Sequence, residues 1–324
     1  MPKGQRQTRP LTLRWWRWAS CALALTVGAL FAEPALPADA IAIILSGEDP
    51  PYSAVGKAIE TYLGENASRH PDIHHLSLPA GVSLPDAIRD ETVLVVTVGT
   101  RATAWALQHP PGPPVLAVLV PRDTYTRLID ERQVEGSAIY LDQPARRRIN
   151  LMSLVLPGSQ DVALLRHPTN TDRIDHLRGL LESRGYRVHV GDVGPDERLI
   201  STLENLLEDS QVLFATPDPA IYNRDTIKPI LLTAYRYQIP IIGFSRAYVR
   251  AGALAATYST TAQIGLQAGE WIDAFLNDGD LPPPGYPRYF SVSLNRQVAR
   301  ALGLDLPPEH QLLQALERME ETPP

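Results

Sequence analysis

The sequence predicts an α/β protein made of two doubly wound, parallel-sheet lobes. Two observations carry the prediction. Short apolar runs alternate with segments whose apolar residues fall at helical spacing, the mark of strands buried on both faces and joined by crossover helices. The alternation also repeats. Val95-Val96-Thr97-Val98-Gly99-Thr100 leads into a helical segment and then Pro114-Val115-Leu116-Ala117-Val118, while Leu213-Phe214-Ala215-Thr216-Pro217-Asp218 leads into another and then Pro240-Ile241-Ile242-Gly243-Phe244. Each half thus has an apolar strand, a polar elbow, a helix and a second buried strand opened by proline. A chain of 324 residues has room for two such units. A single closed barrel is the competing arrangement.

Taken in order, strands are expected at 40–46, 75–78, 92–98, 115–120 and 137–141, with helices at 52–66 and 100–108 between them. A helix over 144–156 carries Arg146, Arg147 and Arg148, read as a solvated face, with a partner-docking patch as the alternative. The pattern then restarts. Strands are expected at 161–165, 187–190, 212–215, 240–244, 253–258 and 289–294, with helices at 172–184, 197–209, 223–237, 261–276 and from about Asn295 onward.

The first 18 residues hold Lys3, Arg6, Arg9, Arg14 and Arg17 and no acid. An apolar run of roughly 14 residues follows, then a proline-rich stretch ending Ala38-Asp39-Ala40. This is the layout of a secretory signal peptide, here 1–40, with an uncleaved anchor as the alternative reading. The run is shorter than the roughly 20 residues of a membrane span. Cys21 is the only cysteine, so the exported chain would have none and no disulfide framework is possible. The formal net charge is −6, and the leader removes five basic residues but only two acids. An acidic chain excludes a phosphate-gripping nucleic-acid binder. These features place the protein in the periplasm.

Catalytic motifs are absent: there is no G-x-S-x-G, H-E-x-x-H or G-x-G-x-x-G. His70, His74 and His75 lie near one another, but Pro71 interrupts them and no carboxylate pattern supports a metal site, so surface histidines are expected. No catalytic residue, metal or cofactor is expected. The chemistry lies in the elbows after the strands, because ligands of open α/β sheets sit outside strand carboxyl ends. Gly99, Thr100 and Arg101 open a helix that Thr100 can cap and whose free amides favour an anion, with an ordinary N-cap and tight turn as the alternative. Thr216, Asp218 and Asn223 occupy the matching elbow, where Asp218 either receives a ligand ammonium or caps a helix. Ser46, Tyr52, Asp123 and Tyr125 in the first half, and Ser245 and Tyr248 in the second, complete the candidate ligand-binding set.

From Val212 to Phe275 the chain resembles the ABC transporter substrate-binding protein family, of tryptophan/tyrosine-type periplasmic binding proteins. The resemblance rests on Leu213-Phe214-Ala215-Thr216-Pro217-Asp218, Ile239-Pro240-Ile241-Ile242-Gly243, Arg250-Ala251-Gly252-Ala253-Leu254-Ala255 and Gln263-Ile264-Gly265-Leu266-Gln267-Ala268-Gly269-Glu270, with Val98-Gly99-Thr100-Arg101-Ala102-Thr103-Ala104 in the first half. It implies the type I periplasmic binding fold, with two lobes joined by three crossings: 41–141 plus 250–285, and 142–249 plus 286–324. It further implies a non-enzymatic, monomeric protein that binds a small polar or amino-acid-like ligand by closing a cleft and delivers it to an ABC permease. The alternative is a sensory or accessory protein on the same fold, partnered with a membrane receptor. The chain departs from the family pattern at Val120-Pro121, where an Asp-Pro is usual, and at Pro219 after Asp218.

Overall fold

The computed structural model describes residues 39–78, 92–108, 112–131, 136–194 and 198–321. The first sheet has the order β2-β1-β3-β4-β5 and is parallel throughout: β1 (Ala40–Leu45), β2 (Asp72–Ser77), β3 (Thr92–Val98), β4 (Val115–Val120) and β5 (Gly136–Tyr140). Among the described residues three helices connect it: α1 (Pro50–Asn66), α2 (Thr100–Gln108) and α3 (Arg122–Asp130). Every residue of β1 is buried, as a central strand covered on both faces requires.

The chain crosses to a second sheet through α4 (Ala145–Val155). There follow β6 (Asp161–Arg166), α5 (Thr171–Glu182), β7 (Arg187–Asp192), α6 (Leu199–Glu208), β8 (Val212–Phe214), α7 (Ile227–Arg236), β9 (Ile241–Ile242), α8 (Arg246–Ala251) and β10 (Ala255–Tyr258). α9 (Thr261–Asp278), β11 (Ser291–Leu294), α10 (Arg296–Ala301) and α11 (Glu309–Glu321) complete the fold. The sheet order is β11-β10-β9-β8-β6-β7, parallel except for β11, which runs against β10. Two separate sheets exclude the single barrel.

Each sheet has its own core. Ile41, Ile43, Val96 and Leu116 of the first pack with Val55, Ile59 and Leu63 of α1. Ile264, Ala268 and Ile272 of α9 join that core, so α9 returns to the first sheet. Its close approach to α1 needs two glycines: a Cβ on Gly265 would overlap Ala58, and one on Gly269 would overlap Tyr62. The second core joins β6, β8, β10 and β11 to α4, α5 and α11 through residues such as Met152, Leu164, Phe214 and Leu316.

Several expectations need correction. Residues 250–285 were assigned as a block to the first lobe, yet β10 pairs with β9 and β11 and stays in the second sheet; the return begins at Ser259. β2 begins at Asp72, three residues before the expected start, so His74 as well as His75 lies in this edge strand, and His75 Nε2 lies 2.5 Å from Glu60 Oε1. α3, α8 and the separate α11 have no counterpart in the expected elements, since each is amphipathic over only a few turns or lies between strong strands. The expected leader 1–40 falls largely outside the described residues. Its last residue does not: Ala40 pairs with Asp72 and Thr92 as the first residue of β1, and the Asp39 carbonyl accepts from the Asp72 amide at 3.0 Å.

Three crossings join the sheets, at 141–144, 259–260 and 286–290, the last beginning after Gly285 bridges Ile139 of β5, and side chains bind them together. Gln143 Nε2 donates to Ser259 Oγ (2.9 Å), which donates to the Tyr289 carbonyl (2.6 Å). Arg147, at the start of α4, donates to Gln143 Oε1 (2.7 Å) and the Pro287 carbonyl (2.9 Å). It also grips Glu320 of α11 with two bonds, at 2.5 and 2.7 Å, and stacks on Phe290.

Candidate functional site

The loops at the carboxyl ends of both sheets hold the polar side chains. In the first, Gly99 follows β3 with φ +93°, and its carbonyl accepts the first helical bond of α2, from the Thr103 amide at 3.1 Å. Gly99 is therefore the cap residue, and Thr100, expected to cap, is instead the exposed first residue of the helix. The side-chain cap comes from a neighbouring strand: Ser46 Oγ, just past β1, accepts from the Ala102 amide at 3.0 Å. Among the described residues no partner takes the Thr100 and Arg101 amides, so this helix end still presents two donors and a positive dipole. Tyr52 closes the other side. A Cβ on Gly99 would lie 2.6 Å from both Ser46 Oγ and Tyr52 Cε1. Ser46, Tyr52, Gly99, Thr100 and Arg101 thus form one cluster.

Asp123 stands apart from that cluster. Its carboxylate is 62% exposed and reaches Arg173 of α5, on the second sheet, at 3.4 Å. Tyr125 does not belong to the site. Its ring is buried against Tyr140, and its hydroxyl lies near Gly136, at the amino end of β5, because α3 runs back along the sheet. Burial pushes its hydroxyl pKa up.

In the second sheet Asp218 is 4% exposed and fully engaged. Its oxygens accept from Asn170 Nδ2 and the Ala220 amide (2.8 Å), and Arg173 Nη2 stands 3.8 Å away. Arg173 thus bridges Asp218 and Asp123 across the two lobes. An ammonium from a ligand would have to displace a cation already in place. Asn223 is spent on its own loop, accepting from the Asp225 and Thr226 amides and donating to the Pro219 carbonyl. Ser245 caps α8 by accepting from the Tyr248 amide at 3.1 Å. Tyr248 is buried, stacked on Phe244 with centroids 5.0 Å apart and edge-on to Tyr222.

Four groups missed in the sequence complete this region. Arg148, placed on a solvated face by expectation, is 6% exposed. It donates to the carbonyls of Ala215 and Gly243, one residue beyond the ends of β8 and β9, and lies over the Phe214 ring. Burial pulls its pKa down to about 10, and no carboxylate among the described residues bonds to it. Helical spacing carried the signal, since Arg148 shares a face with buried Leu151, Met152 and Val155. Arg173, Tyr222 and Phe244 left no such trace. Arg148 Nε, Arg173 Nε, Thr216 Oγ1 and the Tyr222 and Tyr248 hydroxyls are buried without a partner, a concentration of unmet polar groups at one end of one sheet. Among the described residues no group of three or more His, Cys, Asp or Glu side chains is arranged to hold a metal ion.

Two α/β lobes, three crossings and polar loops at the strand carboxyl ends define a two-lobed binding protein of the type I periplasmic class. Residues 88–314 match the model of the family described as ABC transporter substrate binding protein, and the chain belongs to that family. Solved structures agree in fold. A ligand-free, open substrate-binding protein with adhesive properties from Clostridium difficile is 17% identical, with a TM-score of 0.68 over 83% of this chain and 96% of that one. An ABC domain in complex with L-Trp from Streptococcus pneumoniae is 16% identical, with a TM-score of 0.57 over 86% and 98%. A conserved domain protein from Vibrio cholerae is 16% identical, with a TM-score of 0.56 over 85% and 97%. No curated protein matches the chain in sequence.

Two outcomes follow for this region. Gly99→Ala should lose about 1–2 kcal/mol for the left-handed backbone and a further ~1–3 kcal/mol for overlap with Ser46 and Tyr52. Gly112, at φ +91° with nothing within 4 Å of a Cβ, is the control and should lose only the backbone part. Urea denaturation measures both, and equal losses would remove the packing argument.

Asp142, in the first crossing, accepts from the Arg122 amide at 2.7 Å. Burial raises its pKa; the Arg122 amide and Arg173 oppose the shift, and Asp123 adds to it. Asp142 therefore keeps its proton to higher pH in the folded protein than in the unfolded chain. As pH rises through that window the unfolded chain gives up its proton first, so stability falls, and the loss is complete above the folded value. Asp142→Asn keeps an oxygen for Arg122 and removes the charge. The variant should be at least as stable as the parent at pH 7, with a flatter decline as pH rises above the ordinary aspartate range in urea titrations. A variant less stable at pH 7 would show that the charge is net favourable.

Proposed function

We propose that the protein is an exported solute-binding component of an ABC importer that takes a small carboxylate-bearing, amino-acid-like ligand between its lobes and performs no chemistry. The carrying observation is the free helix end at Thr100 and Arg101, set beside Ser46 and Gly99, together with the unmet polar groups around Arg148 and Thr216 on the other sheet. Both lie at strand carboxyl ends, and the Asp123–Arg173 contact brings the two loop sets together. The helix end suits a carboxylate, and Arg148 is a second cation for it. Phe244 and Tyr222 supply rings for an apolar side chain, which the L-Trp held by the pneumococcal relative supports. Closure would turn about the three crossings, with ligand release to a permease as they open.

The carboxylate, rather than the ammonium, should be the group the site reads, because Asp218 is already paired with Arg173. Calorimetric titration with L-tryptophan, its amide and indole-3-propionate tests this. The deaminated acid should bind within about tenfold of the amino acid, while the amide should lose ~1.5–3 kcal/mol, the worth of a charge-assisted bond. Tight binding of the amide with none of the deaminated acid would reverse the assignment; no response to any of the three would direct the search to other carboxylates and remove the aromatic side chain from the proposal.

Export to the periplasm rests on the basic N-terminus and its apolar run. Processing should leave Asp39 and Ala40 in place, because both are built into β1 and its pairing. Mass measurement of the periplasmic product should give a first residue at Asp39 or earlier. A product that starts after Ala40, or a full-length membrane-bound chain, would contradict the proposal. A receptor-coupled role on the same fold is the second reading, favoured by the adhesive Clostridium difficile relative. Loss of labelled-ligand uptake on deletion would support the importer over that reading.

A further inference from the structure

A concavity that shares no lining residue with either set of strand-end loops lies beside α4. α4, α11 and the turn between α5 and β7 enclose an open groove of about 770 Å³. Its floor is apolar, formed by Ile149, Leu154, Tyr186 and Met319. Arg146, Arg184 and Arg318 stand around it. The volume falls within the range of small-molecule sites, which combine an apolar lining with a few placed polar groups.

The arginines distinguish this groove from a packing defect. Several arginines of the second lobe do find carboxylates: Arg147 with Glu320, Arg166 with Asp192, Arg187 with Asp161. In the groove, Arg184 donates only to the neutral Asn150 Oδ1, at 2.7 Å, and no described carboxylate pairs with Arg146. Partial burial and the charge of Arg146 hold Arg184 below the ordinary guanidinium range, so the two cations are near enough to repel. In a chain of net charge −6, two mutually repelling cations without a carboxylate stand over an apolar floor. An anion placed between them would relieve the repulsion.

We propose that this groove is a second ligand site, separate from the interlobe site, for a small amphipathic carboxylate of the fatty-acid type. Its carboxylate sits between Arg146 and Arg184, matching the planar fork of either guanidinium. Its hydrocarbon body lies along Leu154, Tyr186 and Met319. A short carboxylate without a body would gain the charges but leave the floor uncovered.

The experiment is isothermal titration of the purified protein with sodium decanoate, below its micelle concentration and at low salt, beside decanol, acetate and a hexaglutamate peptide. The expected result is saturable one-to-one binding of decanoate, at least about tenfold tighter than decanol or acetate. Arg184→Gln should weaken decanoate binding by about tenfold or more while costing the fold no more than the one hydrogen bond to Asn150. Ala315→Trp, which fills the groove from α11, should abolish it. Non-saturable uptake, or saturable binding that neither variant alters, would overturn the proposal. Binding of hexaglutamate with no response to decanoate would overturn it in favour of an acidic protein segment as the occupant.

Discussion

The guanidinium of Arg147 is the constraint on which the two-lobed arrangement depends. It is buried where the three crossings meet, and its donors are shared among Gln143 of the first crossing, the Pro287 carbonyl of the third and Glu320 of the C-terminal helix. Ser259 links the second crossing into the same network. A buried cation is costly unless its partners are supplied, so the crossings and α11 hold their positions together. Without Glu320 the charge would be left without its counter-ion in a desolvated setting, and the strand-end loops of the two sheets would lose their common frame.

A second set of buried charges shapes the region between the loops. Arg148, one residue along α4, gathers the carbonyls at the ends of β8 and β9 and so fixes how the elbows after those strands leave the sheet. Arg173 serves Asp218 on its own sheet and Asp123 on the other. The outcome is an uneven site. Acids in the second lobe are already neutralised, whereas hydroxyls and guanidinium nitrogens remain without partners. Such a region favours a ligand that brings acceptors, which is why charge bookkeeping within the protein says more about ligand class than any single residue type does.

The sheets were legible because their strands are short apolar runs bounded by turn residues. β3 and β4 fall at the expected residues, and α2 follows β3 directly. The Gly99 elbow was legible too, since a glycine between a buried strand and a helix has few other uses. The site was read less well wherever a side chain's role depends on distant chain. Thr100 has the composition of a cap, yet Ser46, more than fifty residues earlier, supplies that bond. Asp218 has the composition of an ammonium acceptor, yet Asn170 and Arg173 occupy it first. Tyr125 follows a strand end, but α3 carries its ring back to the core.

By itself the sequence determined the alternation of strands and helices, the repeat that favours two sheets over one barrel, and the loops where polar groups gather. These follow from local periodicity and from the refusal of apolar runs to face water. Only the tertiary structure decided which polar groups are free. Three adjacent arginines illustrate the reason: on one turn of α4, Arg146 is exposed beside a groove, Arg147 is sealed among the crossings and Arg148 is buried beneath two strand ends. Their chemistry is the same, and the partners that separate them come from segments between 67 and 173 residues away.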